Sequence, residues 1–202
     1  MARALSNEEL RIGVFVCSCG SNIEGVVDVK EVASYARTLP DVVVVQQNKY
    51  SCSEPGQQEI KKKIIENKLN RVVVASCSPK LHEPTFRQVC ADSGVNPYLF
   101  EMANIREQAS WVHSKDPIGA TKRARDAVRI AIAKARHLNP QYELEVPVER
   151  ATLVIGGGVA GIQASLDLAD TGYKVYLVEK EPTIGGIMAS LDKTYPTMDC
   201  SI

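Results

Sequence analysis

The sequence predicts an α/β protein: a doubly wound parallel-sheet domain first, then the start of a Rossmann-like nucleotide-binding domain. Three observations carry this. Short runs rich in Val and Ile recur at residues 12–16, 42–45 and 72–75, a pattern that suits strands buried on both faces of a parallel sheet. Segments with apolar residues at helical spacing alternate with those runs. At residue 156 a GxGxxG spacing follows a further apolar run and opens a further helix.

The elements follow in order. After the first strand, "DVKEVASYARTL" places Val29, Val32, Ala33, Ala36 and Leu39 near helical spacing, with Asp28 as the expected N-cap. The second strand leads into "EPGQQEIKKKIIENKL", a helix with Ile60, Ile64, Ile65 and Leu69 on its apolar side behind Pro55. The third strand is followed by a helix over roughly 83–93 that ends at Gly94, and "NPYLFEMAN" reads as another strand. Residues 118–137 form the clearest helix: Ala120, Ala124, Val128, Ala131 and Ala135 make a small-residue face, and Lys and Arg fill the others. "LNPQYELEVPVER" then reads as an extended linker. The expected domains are therefore 1–140, a cysteine-bearing domain with its closing helix, a linker at 141–150, and an incomplete nucleotide domain at 151–202.

Composition narrows the function. With 202 residues, 45% of them apolar, the chain is long enough to bury a sizeable core. Lys plus Arg equals Asp plus Glu at 24 each, so no long-range field draws nucleic acid or an anionic membrane to it. The basic helix at 118–137 reads as a solvated face on a packing helix. No stretch approaches the apolar length that spans a bilayer, and the expectation is a cytoplasmic protein.

Six cysteines in a reducing compartment raise metal, cluster or redox chemistry ahead of disulfides. In an α/β sheet the carboxyl ends of neighbouring strands open onto one edge. Cys17, Cys19, Cys52 and Cys77 all fall at or just past such ends. Cys17 and Cys19 are two apart on a stretch read as extended, which points both to one side. Gly20 and Gly56 let the loops fold tightly around a bulky ligand. Four thiolates suit tetrahedral zinc or a 4Fe-4S cluster, and the spacing does not choose between them. Cys90 lies on an apolar helical face beside Phe86 and Val89 and reads as packing. His82 is expected in a hydrated loop, Trp111 in the core or a domain contact, and Arg106 in a surface ion pair.

The strongest motif is "ATLVIGGGVAGIQASLDLADTGYKVYLVEKEPTIGG". A strand at 152–155 runs into Gly156, Gly158 and Gly161, then a helix at 159–170, a turn at Gly172 and a strand at 174–178 ending at Glu179. Gly156 permits the turn, Gly158 lets backbone approach a pyrophosphate, and Gly161 lets helix pack on strand. The helix amino terminus offers free N–H groups to the diphosphate. Glu179 is expected to accept hydrogen bonds from the ribose. The expected cofactor-binding set is Gly156, Gly157, Gly158, Val159, Ala160, Gly161, Glu179, Lys180, Gly185 and Gly186. Spacing leaves NAD and FAD open; the "KEPTIGG" extension resembles that of two-dinucleotide-domain flavoproteins, which implies FAD.

Together, "CSCGSNI", "YSCSEPGQ", "ASCSPKLHEPTF", "NIREQASWVH", "VIGGGVAGIQASLDLAD" and "YPTMDCSI" resemble the A subunit of heterodisulfide reductase and its relatives, over essentially the whole chain. The resemblance implies an iron-sulfur flavoprotein of methanogenesis-type metabolism, binding FAD and a 4Fe-4S cluster. Implied partners are the B and C subunits of heterodisulfide reductase, a hydrogenase or formate dehydrogenase input module, and ferredoxin, in a complex expected to be dimeric. The implied activity is flavin-based electron bifurcation between ferredoxin and the coenzyme M–coenzyme B heterodisulfide. Two other readings stand beside it: an NAD(P)H- or thiol-linked flavoprotein reductase with a structural zinc, and a redox-complex scaffold.

Cys200 is the candidate catalytic residue, as a cluster ligand near the flavin or a redox thiol facing it. In the family the residue after "CSI" is a cysteine or, in some members, selenocysteine. Ile202 is therefore expected to mark either a selenocysteine codon read as a stop or a chosen boundary. One helix and two strands cannot bury an apolar face alone, so a chain ending at Ile202 is expected to bind FAD weakly.

Overall fold

The computed structural model describes residues 9–200. The chain divides into two compact units between Glu143 and Leu144.

The first unit is built on four parallel strands: β1 (Ile12–Cys17), β2 (Val42–Asn48), β3 (Arg71–Ser76) and β4 (Phe100–Asn104), in the order β2-β1-β3-β4. The helices α1 (Val29–Ala36), α2 (Glu54–Glu66), α3 (Pro79–Asp92) and α4 (Pro117–Ala135) cover both faces of that sheet. Alternation along the strands sorts the core into two layers. Val14, Val16, Val73, Ala75 and Ala103 pack against α1 and α4, and Phe15, Val72, Val74, Phe100 and Met102 pack against α2 and α3.

The three Val/Ile runs are not equivalent. β1 is buried throughout and β3 nearly so, whereas β2 sits at the sheet edge and leaves Val43 42% exposed. A strand at an edge has one neighbour and is covered less completely. Asp28 caps α1 as expected, its carboxylate accepting from the N–H groups of Lys30 and Glu31 at 3.0 and 2.9 Å. The small-residue face of α4 is buried as expected: Ala120, Ala124, Val128 and Ala135 are fully enclosed.

Three local expectations are corrected. β1 ends at Cys17, and Cys19 takes a left-handed conformation (φ 44°) that starts a single 3-10 turn, Gly20–Asn22. Cys17 and Cys19 therefore do not share an extended segment. His82 belongs to α3, which starts four residues earlier than expected because Ser78 caps it and Pro79 occupies its first position. Its ring meets Phe86 edge-on at 6.5 Å. Of the two places expected for Trp111, the core is excluded, since it is half exposed; its ring carries the Arg106 guanidinium 5.0 Å from its centroid.

Cys90 is fully enclosed on α3, and burial pushes its thiol up to about 12. The folded state thus favours the protonated thiol. That contribution is complete below the unfolded thiol's ordinary value and is lost as the pH rises toward 12, at up to about 1.4 kcal/mol per pH unit. Urea unfolding of wild type and Cys90→Ala, compared between about pH 8 and about pH 10.5, should show the steeper loss in wild type. Equal slopes would remove Cys90 as the cause.

The second unit contains β5 (Ala151–Ile155), α5 (Val159–Asp170) and β6 (Lys174–Val178), a parallel strand–helix–strand element, followed by a two-stranded pair, β7 (Lys193–Thr194) and β8 (Asp199–Cys200). No residue of α5 is buried, and Leu153, Ile155, Leu166, Tyr176 and Val178 are each at least half exposed. The described part of this unit leaves its apolar side chains uncovered.

Candidate functional site

In the order β2-β1-β3-β4 the chain leaves β1 toward β2 on one face and returns past it to β3 on the other. The carboxyl ends of β1 and β3 therefore flank the point where the winding reverses, the place where open α/β sheets form a crevice. Cys17 is the last residue of β1 and Cys77 directly follows β3. Cys19 is two residues past β1, and Cys52 lies in the loop after β2.

Backbone hydrogen bonds hold these loops together. The N–H groups of Ser18 and Cys19 donate to the carbonyls of Asn48 and Lys49, each at 2.9 Å. The Ser51 N–H points at the Cys17 sulfur at 3.4 Å. The Gln57 side chain donates to the Cys52 carbonyl at 2.8 Å. Cys52 and Cys77 occupy the same local setting, since each immediately precedes a serine that caps a helix, Ser53 for α2 and Ser78 for α3. Both helices thus direct their positive ends to this edge, which favours thiolate or another anion.

Cys17 and Cys77 are buried, and Cys19 and Cys52 are partly exposed. Burial raises the Cys52 thiol, and the neighbouring charges of Cys17 and Cys19 raise it further. Burial likewise raises Cys77, with the Cys52 charge adding to it and the Arg106 guanidinium opposing it. Among the described residues, no three His, Cys, Asp or Glu side chains are gathered closely enough to hold a single metal ion.

The donor chemistry is nevertheless specific. Four cysteines stand at or just past three neighbouring strand ends, and the Ser51 hydroxyl, fully buried in the loop before Cys52, has no hydrogen-bond partner. Four thiols at one sheet edge are the donor set of a polynuclear centre, whose inorganic core lets its ligands stand farther apart than one ion does.

The fourth strand brings residues that sequence reasoning undervalued. A π-helical turn, Arg106–Ser110, directly follows β4. Asn104 anchors it, its side-chain oxygen accepting from the N–H groups of Arg106 and Glu107 at 3.2 and 3.0 Å. The Ser110 hydroxyl ties the turn to the loop after β1 by donating to the Asn22 carbonyl at 2.6 Å. Arg106 pairs with Glu107 at 2.8 Å, so the expected ion pair is present. It is not confined to the surface, because the Arg106 side chain is only 21% exposed and the Ile105 N–H joins its turn to the carbonyl of Ser76, next to Cys77, at 2.8 Å. The available signal is its position two residues past a strand end, in "ANIRE".

In the second unit the glycine loop has the geometry of a phosphate cradle. Gly156 turns at φ +106°, and Gly158 begins α5, which no side chain caps. The amides of Val159, Ala160 and Gly161 thus open α5 free of side-chain competition. The "KEPTIGG" segment folds back onto the loop: the Gly185 N–H donates to the Gly157 carbonyl at 2.6 Å, and Gly158 and Gly185 form a bridge. Glu179 accepts from the N–H groups of Gly157, Lys180 and Glu181 at 2.6, 2.7 and 3.0 Å. The Glu181 and Gly157 amides hold its carboxyl below the ordinary value, so it stays ionised. Three of its roughly four lone-pair directions are engaged, which leaves capacity for a further donor such as a ribose hydroxyl. An open cavity of about 800 Å³ lies at this edge, lined by Gly156, Glu179, Lys180, Gly186 and Ile187 among others. Cys200 is exposed on β8, paired in register with Lys193.

Comparison with known proteins bears on both halves. Residues 152–197 match the family described as FAD dependent oxidoreductase. The chain is 63% identical over 198 residues to the second iron-sulfur A subunit of the CoB–CoM heterodisulfide reductase of Methanopyrus kandleri, covering 98% of this chain and 30% of that protein. It is 62% identical to the A subunit of the H2:CoB-CoM heterodisulfide,ferredoxin reductase of Methanothermobacter thermautotrophicus, over 96% of this chain and 30% of that protein. A protein of Archaeoglobus profundus, described as like the heterodisulfide reductase A subunit, is 54% identical, over 98% and 28% respectively. The chain thus spans about 30% of the length of the curated relatives it matches. Four strand-end thiol positions, a FAD-type glycine loop and identity along nearly its whole length place this chain in the family of heterodisulfide reductase A subunits.

Proposed function

We propose that this chain is an electron-transfer portion of a heterodisulfide reductase A subunit, with a 4Fe-4S cluster on the thiols of residues 1–140 and FAD on residues 151–202. Residues 141–150 link the two. In this reading the protein works with the B and C subunits, an input module and ferredoxin, and takes part in electron bifurcation between ferredoxin and the coenzyme M–coenzyme B heterodisulfide. The observation that carries it is the convergence of Cys17, Cys19, Cys52 and Cys77 at one sheet edge, in a chain with one relative named for an iron-sulfur subunit, another for a ferredoxin reductase subunit.

Bound flavin and cluster supply the two-electron and one-electron chemistry; the chain's own residues bind, orient and screen them. Gly156, Gly157, Gly158 and the first amides of α5 receive the diphosphate, and Glu179 orients the ribose. Gly185 braces the glycine loop through its bridge to Gly158, and Lys180 and Gly186 would line the cavity that takes the bound flavin nucleotide. Burial of Cys17 and Cys77 keeps water from the cluster side, and Cys200, exposed on β8, is the redox thiol assigned to the flavin side.

Anaerobic purification with metal and sulfide analysis tests the cluster half. The expected result is iron and acid-labile sulfide in equal amounts. Cys52→Ala and Cys77→Ala should lose most of both, and Cys90→Ala should keep them. Zinc without sulfide would replace this reading with the zinc-flavoprotein one.

A further inference from the structure

The thiol edge holds one cation whose placement the binding of four cysteines does not itself require. Arg106 is presented by the π-helical turn after β4, and its side chain is only 21% exposed. Three contacts immobilise it. Nε and an Nη of its guanidinium both donate to one oxygen of Glu107, at 3.2 and 2.8 Å. Its Cζ lies over the Trp111 ring, 5.0 Å from the centroid. Its own N–H is fixed to Asn104. The other Glu107 carboxylate oxygen is buried without a hydrogen-bond partner, so the acid is committed to this arginine at a desolvation cost. A surface ion pair would need none of this apparatus. The turn that presents Arg106 is bound to both thiol loops: the Ile105 N–H donates at 2.8 Å to the carbonyl of Ser76, the residue before Cys77, and the Ser110 hydroxyl donates at 2.6 Å to Asn22 in the turn that Cys19 begins.

We propose that Arg106 is the electrostatic positioning residue of the thiol site, a cation fixed by Glu107 and Trp111 that raises the reduction potential of the centre the thiolates hold. The inference rests on the cluster reading above. Four thiolates concentrate negative charge at this edge, and reduction adds one electron, here from mediators poised with dithionite, with no bond or proton change at the protein. A fixed neighbouring cation stabilises the reduced form more than the oxidised form. Glu107 partly masks that cation, so removing the acid's charge should act in the opposite sense.

The test is a redox titration followed by electron paramagnetic resonance on the anaerobically purified, iron-loaded protein, in wild type, Arg106→Gln, Arg106→Lys and Glu107→Gln. Arg106→Gln should lower the reduced-to-oxidised ratio at fixed potential about tenfold, a shift of 59 mV to more negative values for a one-electron couple. Arg106→Lys, which keeps the charge, should recover at least half of it. Glu107→Gln should shift the couple to more positive values. A purely structural role would disturb the site in Arg106→Gln and Glu107→Gln alike and would not reverse the sign. Shifts of the same sign, or an unchanged potential in Arg106→Gln, overturn this inference and leave the cluster reading intact. A wild-type protein without iron and sulfide overturns both. Should Arg106→Gln not retain its cluster, Arg106→Gln with Glu107→Gln removes the unpaired acid, and its couple is then expected below that of Glu107→Gln alone.

Discussion

Replacing Gly161 by valine is expected to lower FAD affinity on the order of a hundredfold while leaving iron content unchanged. Gly161 is the third residue of α5, and a Cβ there would lie inside the van der Waals envelope of the Gly156 carbonyl oxygen. That neighbour is backbone and belongs to the turn that aims the loop's amides, so no side-chain rotation relieves the clash. Either α5 withdraws from β5 or the Gly156 turn opens, and both move the helix amino terminus from its position at the strand end. Overpacking of this kind costs about 1–3 kcal/mol, and at the upper end flavin affinity falls on the order of a hundredfold. The measurement is a titration of wild type and variant with FAD, beside their iron content. Equal FAD affinity in wild type and Gly161→Val would mean that this loop is not the diphosphate cradle.

The second large effect is expected at Gly56, in the first turn of α2. Here an added Cβ would collide with the Tyr50 carbonyl and press on Ser51, the two residues immediately before Cys52. The helix start and the thiol loop approach so closely because Gly56 has no side chain, and its N–H is tied to the capping Ser53. Gly56→Val should push residues 50–52 outward and break the contact between the Ser51 amide and the Cys17 sulfur. We expect a stability loss of about 1–3 kcal/mol in urea and loss of more than half the bound iron. Gln58→Ala, an exposed change on the same helix, should stay within about 0.5 kcal/mol of wild type and keep its iron. Full iron retention in Gly56→Val would show that Cys52 need not be held where this loop holds it.

Much of the fold was legible because its signals are local. The Asp28 cap, the α4 small-residue face, the strand at 100–104 and the span of α5 at 159–170 each follow from side chains within a few positions of one another. Cys19 was misread because a two-residue spacing is compatible with a strand and with a turn alike, and hydrogen bonds to residues 48 and 49 choose the turn. The edge position of β2 was invisible for a related reason. "VVVV" reads the same in a central or an edge strand, and its exposure depends on which strands pair with it.

The amino-acid order alone determined the alternation of strands and helices, the four thiols past strand ends and the glycine loop of the second unit, since periodicity, capping and tight turns are short-range effects. Only the folded sheet decided which strand ends neighbour one another, that the turn carrying Arg106 and Glu107 adjoins the end of β3, and that Gly56 and Gly161 sit where no side chain fits. Those facts depend on pairing and crossover between segments tens of residues apart, where a contact is set by the balance of the whole core and not by any local run of side chains.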